Sequence, residues 1–305
     1  MAKVVGIGAA VFDILMTADA FPKEDTKLQG KETKIQCGGP CATGLVAMSK
    51  LGEPVCYMGT VGDDMYGEFI RSEMTRFGVD VSGVEVVPGT SFHSFVLLNL
   101  SNTSRTCIWN RGEASQPTEK NVDLEVLKNA QFLHLDGNQL DCAIYAAKKA
   151  HEFGVTVSMD AGGAYPRIEE LLPLVDVLIP SEEFSMKVTG CATAVEAAKV
   201  LQEKYNPKVL VITQGNKGGF IWEDGKEVRY PVFPVKAIDS NGAGDTFHGA
   251  FVAAQLKGMS VYESCTFASA TSALKCTRFG AQEGIPGYEE VLNFMKEHEG
   301  VIVNG

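Results

Sequence analysis

The chain has 305 residues, 45% of them hydrophobic and 21% charged, and a formal net charge of −11. That composition suits a soluble globular protein with a sizeable core, and acidity without any basic run argues against duplex nucleic acid or an anionic membrane surface as partner. The start, MAKVVGIGAAVFD, has no long apolar stretch and carries Asp13 early, so neither a signal peptide nor a membrane span is expected, and the protein is expected to be cytoplasmic.

In chain order, short runs rich in Val and Ile alternate with helical patterns. Strands are predicted over 4–8, 55–59, 132–136, 155–159, 175–179 and 209–213, and helices over 42–51, 65–77, 140–153, 195–205, 243–257, 262–276 and 288–297. Thr193 and Glu196 have capping-box spacing ahead of the fourth helix, and Gly258 is a stop for the fifth. This βαβα order predicts an α/β fold with a parallel sheet covered by helices on both faces. Residues 12–36 and about 84–112 break the pattern with β-type or irregular stretches, including a hairpin of 91–100 and 105–110 around Ser101-Asn102-Thr103-Ser104. We therefore expect one domain, residues 1–305, with a small β lid built from those two regions. The eight cysteines form no CxxC pair and read as reduced core thiols.

Three glycine-rich turns carry the chemistry. In DSNGAGDTFHG, Asp239 and Asp245 flank Gly242-Ala243-Gly244 ahead of a helical run. A bare turn lets backbone N–H groups converge, and a helix starting there adds the positive end of its dipole, which makes an anion hole. A carboxylate there would repel a resident anion, so Asp245 makes sense as a group that takes a proton from a hydroxyl while the hole stabilises a transferring phosphoryl group. On this stretch alone, a plain glycine turn with Asp as a helix cap fits as well. CGGPCATGLVAMSKLG places Gly38 and Gly39 before a helix whose apolar face carries Leu45, Met48 and Leu51. VITQGNKGG ends a strand at Thr213 and follows it with Gly215 and Gly218, a usual place for ligand phosphates.

In this order and spacing the three motifs resemble the PfkB (ribokinase-like) family of sugar kinases, with D[ST]xGAGD at 239–245 the most specific element. GxxGDDxxG at 59–67 and the tail CTRFGAQEGIP at 276–286 extend the match over nearly the whole chain. The resemblance implies a ribokinase-like three-layer α/β/α sandwich with a mainly parallel sheet and a small β-sheet lid over the sugar. It implies an ATP-dependent kinase that uses Mg2+ and K+. Asp245 would be the general base, and Gly242, Ala243 and Gly244 the anion-hole amides. Asp13, Gly38, Gly39 and Asp136 would line the sugar site; Thr213, Gly215 and Gly218 would face the ATP phosphates, with Ser269 at the adenine pocket. Asp239, the carbonyl of Asn241 and the turn near Gly280 would hold the monovalent cation. Lids of this family pair edge to edge, so a homodimer through the lid is expected.

Three departures bear on specificity. Thr43 stands where the family commonly has Asn. The usual Asn-x-x-Glu, which helps hold magnesium through water, falls on Ser181 to Phe184; Ser181 then sits by the nucleotide, and Glu183 is either the substitute or a solvated first-turn acid. Motif variants such as GGPCAT and ALKCTR look most like the branch that includes 6-deoxy-6-sulfofructose kinases, and Lys27 and Asn110 sit where a polar or anionic end group would be met. That branch would want an arginine where this chain has Asn138, and loss of a guanidinium removes a bidentate anion clamp. The expected substrate is therefore a neutral ketohexose or related sugar. The alternatives are an anionic sugar (sulfofructose or a sugar phosphate) held by Arg111, or a non-catalytic sugar or nucleotide binder. A dinucleotide enzyme is set aside, because GIGAAV at 6–11 lacks the third small residue and a capped helix after it.

Overall fold

The computed structural model describes residues 1–102, 104–298 and 303–304. Thr103 of the predicted hairpin turn lies outside the described residues.

The larger of two main sheets has nine strands in the order Lys226–Arg229, Gly219–Glu223, Val209–Thr213, Val177–Pro180, Thr156–Ala161, Phe132–Leu135, Val4–Ile7, Val55–Gly62 and Asp80–Val87. The seven from Val209–Thr213 onward pair in parallel; the first two form an antiparallel hairpin on one edge. The central strands Val4–Ile7 and Val177–Pro180 are buried along their whole length, as they must be when helices cover both faces. One apolar layer lies under Leu140–Phe153 and Ala194–Tyr205. On the opposite face Pro40–Lys50, Ala243–Leu256 and Val261–Cys276 pack as a group. The helices stop where local chemistry stops them: Gly154 and Gly190 are left-handed C-caps, and Gly258 follows its helix with φ +80°.

The second sheet, in the order Thr33–Gly38, Val11–Ala18, His93–Asn99, Arg105–Asn110, is the expected lid. The lid is smaller than predicted. Residues 80–87 pair in parallel with Val55–Gly62 and belong to the large sheet. Their alternation resembles that of a lid strand, and a parallel edge strand exposed on one face cannot be told from one by periodicity. The helix Glu182–Thr189 and the edge hairpin were not anticipated as elements. At Thr193 the hydroxyl accepts the Glu196 amide at 3.2 Å and donates to the Glu196 carboxylate at 3.0 Å, which is half of the expected reciprocal box.

Two helices of one face are brought into backbone contact. A Cβ placed on Gly249 would lie 2.4 Å from the carbonyl oxygen of Gly44. This close crossing holds the starts of Pro40–Lys50 and Ala243–Leu256 side by side. Gly249→Ala is expected to cost about 2 kcal/mol and lower the melting temperature by roughly 4 °C, and circular dichroism melting checks it.

Candidate active site

Both helix starts are glycine turns with positive φ. Gly39, at φ +94°, is the N-cap of Pro40–Lys50, and Gly242, at φ +75°, is the N-cap of Ala243–Leu256; neither helix has a side-chain cap. In Pro40–Lys50 the first-turn amides are already taken, Cys41 by Asp136 and Ala42 by the Ala9 carbonyl, and the Ala243 amide donates to the Ser240 carbonyl. The amides left open to a ligand at these starts are those of Gly244 and Asp245, and a side chain at either turn would be strained. Gly244 faces open space, with nothing within 4 Å of a Cβ built on it. Gly38 is needed for a different reason: a Cβ there would meet a carboxylate oxygen of Asp13 at 2.0 Å.

Asp13 lies on the lid sheet and Asp245 on the first turn of Ala243–Leu256, near enough for the charge of Asp245 to act on Asp13. Asp13 projects from the inner face of the lid sheet and accepts the Ser94 hydroxyl at 2.6 Å. Burial lifts its pKa to about 6, Ser94 opposes the rise, and the Asp245 charge adds to it. Asp245 is half-buried on the first turn of its helix. Burial is the main cause of its raised pKa; Arg105 pulls it down and Asp136 pushes it up. A carboxylate with a raised pKa is a better acceptor for a hydroxyl proton near neutral pH.

Thr213, Gly215, Gly218 and Ser269 line one cavity of about 440 Å3 that reaches Ala243 and Gly244. Its walls include Tyr230, Phe233 and Phe247, an apolar slot of a size that takes a nucleoside. The cavity thus reaches the glycine turn, and no residue of the lid sheet lines it. Among the described residues no group of three or more His, Cys, Asp or Glu is placed to hold a metal, and no helix is long and apolar enough to cross a membrane.

Comparison with known proteins agrees with this arrangement. The model of the pfkB family carbohydrate kinases matches residues 1–287. The chain belongs to this family. It is 30% identical over 307 residues to a ribokinase of Haemophilus influenzae, covering 95% of this chain and 97% of that one. Similarity to an ATP-dependent ribose-1-phosphate kinase of Halopiger xanaduensis is 28% over 308 residues, covering 97% and 99%. The structure of Arabidopsis thaliana ribokinase complexed with ribose and ATP superposes with a TM-score of 0.86 at 29% identity, over 97% of this chain and 99% of that one. The protein is accordingly a carbohydrate kinase with the ribokinase fold.

Within this pfkB kinase several expected site residues take other roles. Asp136 braces the cleft: one oxygen accepts the amides of Ala9 at 2.8 Å and Cys41 at 3.1 Å, and the other that of Asn138 at 2.9 Å. Thr43 is fully buried and its hydroxyl accepts from Gln282 at 3.3 Å, which ties Pro40–Lys50 to the 276–286 tail. The Ser181 hydroxyl caps Glu182–Thr189 through the Phe184 amide at 3.1 Å, and Ser181 is not among the residues lining the nucleotide cavity. Glu183 is exposed in a separate groove with Arg229, as a solvated first-turn acid would be. Lys27 lies exposed on the loop between the first two lid strands. Asn110 ends the lid hairpin, its side chain accepting the Gly112 amide at 2.9 Å. Asn138 is joined by Arg111, whose guanidinium donates to its amide oxygen at 2.9 Å. The cation expected at Asp239, Asn241 and Gly280 meets a competitor, the ammonium of Lys275.

Three site residues were missed. Arg105 reaches from the lid to Asn241 at 2.6 Å and acts on both Asp13 and Asp245. Asp160 is the penultimate residue of the central strand Thr156–Ala161, with Oδ1 3.2 Å from His248 Nε2. Burial favours the uncharged form of both, pushing Asp160 up and holding His248 near 3. An acid at the carboxyl end of a parallel strand was the available signal for Asp160. Lys275 had none, since a lysine in an amphipathic helix is ordinarily on the wet face.

Proposed function

We propose that this kinase transfers the γ-phosphoryl group of MgATP to a hydroxyl of a neutral sugar, a ketohexose or a related one, with Asp245 as the general base. The observation that carries it is Asp245 on the first turn of a helix whose glycine start lines the nucleotide cavity, with Asp13 buried on the lid sheet against Gly38. Asp13 accepts sugar hydroxyls with Gly38 and Gly39 beneath them, and two acids at that end disfavour an anion there. Asp245 takes the proton of the attacking hydroxyl as its oxygen bonds to the γ-phosphorus and the bond to the bridging oxygen of ADP breaks. The first-turn amides meet the charge on the transferring group. Mg2+ enters with the nucleotide and supplies further charge neutralisation, held mainly by phosphates and water.

A second reading is favoured by one contact. Arg111 restores, from the lid side, a guanidinium beside Asn138, where an anionic end group of a sulfonated or phosphorylated sugar would sit. A panel of fructose, ribose, tagatose, fructose 6-phosphate and sulfofructose, followed by ADP release, decides between the two. Turnover with neutral sugars that anionic ones do not inhibit supports the first, and turnover confined to anionic sugars, lost in Arg111→Met, supports the second.

The lid also supports the homodimer reading. Ile35, Ile14, Phe95 and Ile108 form one cross-strand row on its outer face, and Ile108 is 69% exposed. A second copy pairing there would cover this row. Ile108→Asp is expected to convert a dimer to a monomer in light scattering, and a wild-type monomer contradicts the pairing.

A further inference from the structure

Lys275 has no exposed surface. It lies near the end of the helix Val261–Cys276, and its Nζ donates to the carbonyl oxygen of Asp239 at 2.9 Å and to that of Asn241. These carbonyls belong to the loop that delivers Gly242 to the helix start. The same helix grips the loop at two more points. The Cys276 carbonyl accepts the Ile238 amide at 2.8 Å, and the Ser272 hydroxyl donates to the carbonyl of Ala243 at 2.8 Å.

The remaining oxygens of the expected cation site are also engaged. The Asp239 carboxylate accepts the Asn241 amide at 2.8 Å through one oxygen and the Gly280 amide at 2.9 Å through the other. A potassium ion needs several such oxygens turned toward one point. Here the carbonyls already converge on the Lys275 ammonium, whose pKa is lowered by burial while Asp239 opposes the fall, and a second cation within about 4 Å of it would be repelled. Asp239, Asn241 and Gly280 therefore do not fit a monovalent ion while Lys275 is present.

We propose that the Lys275 ammonium is the built-in cation of this kinase, holding the 239–241 loop so that the first-turn amides and Asp245 keep their aim, and that the enzyme needs no exchangeable monovalent ion. Lys275 is a positioning residue, acting through the loop. The inference rests on the reading of that loop as the anion hole, yet ion binding can be measured without turnover.

Two wild-type measurements and one variant test it. The rate is measured in KCl and in choline chloride at equal ionic strength, and thallium(I) binding is followed by thallium-205 NMR. The wild type is expected to show rates equal within about twofold and no saturable thallium signal. Removing the side chain in Lys275→Ala leaves two buried carbonyls without their charged donor, so the KM for ATP in choline is expected to rise about tenfold. Potassium should then restore it and raise the melting temperature of the variant where choline does not. Lys275→Met, which fills the volume without a charge, should gain neither effect. Severalfold activation of the wild type by potassium, or saturable thallium binding displaced by potassium, overturns the proposal. That wild-type arm stands even if Lys275→Ala fails to fold, and the thallium arm stands even if no tested sugar is turned over.

Discussion

Asp245→Asn is expected to lower kcat by roughly 10²–10⁴ while sugar affinity changes little. The substitution keeps shape and leaves the glycine turn and its amides in place; it removes only the ability to take a proton. Burial raises the pKa of Asp245, with Arg105 opposing and Asp136 adding. A raised carboxylate pKa means that ionised Asp245 costs stability, so the Asn variant should melt no lower than the wild type. The pH profile follows in sign: the protonated acid cannot accept, so kcat rises with pH along an acid limb that disappears in the variant. Steady-state kinetics with calorimetric sugar binding checks both. Near-normal turnover in the variant removes Asp245 from the mechanism.

The second large effect is expected at Asp13. Its carboxylate is held near 6 against a usual 3.8. Between those two values the folded protein binds the proton that the unfolded chain has released, so stability falls as pH rises through this window. At neutral pH the cost is up to about 3 kcal/mol. Asp13→Asn should therefore melt higher than the wild type at pH 7.5, and the gain should vanish near pH 4. Activity moves the other way: loss of the charged acceptor for sugar hydroxyls is expected to raise the sugar KM by about 10- to 100-fold, with the ATP KM nearly unchanged. A residue kept at a cost in stability is what a binding site requires. An Asn variant that is less stable at pH 7.5, or that binds sugar normally, contradicts this role.

Much of the architecture was legible in the sequence because local signals and global fold agree. The helices 140–153 and 288–297 coincide with Leu140–Phe153 and Tyr288–Glu297, where a 3.6-residue apolar period is intact. The glycine turns were legible because each bears a steric demand that only glycine meets, as at Gly39 and Gly242. Residue roles set by long-range contacts were not. Arg105 meets Asn241 across 136 positions, and Thr43 meets Gln282 across 239. Nothing near either residue in sequence announces its partner. Lys275 was hidden for the same reason, since its carbonyl partners lie 36 and 34 positions away. Ser181 and Glu183 show the converse: a local role as cap and first-turn acid accounts for them fully.

The central claim is that Asp245 drives transfer of the γ-phosphoryl group to a sugar hydroxyl, and single-turnover phosphorus-31 NMR tests it most directly. Enzyme in excess of ATP is mixed with Mg2+ and the sugar that gives turnover, and the fate of the γ-phosphorus is followed in wild type and Asp245→Asn. The account predicts a sugar phosphomonoester appearing with ADP in the wild type, and ATP left intact in a variant that still binds the sugar. A phosphomonoester formed equally fast by the variant, or free phosphate in place of a phosphosugar in the wild type, would contradict it.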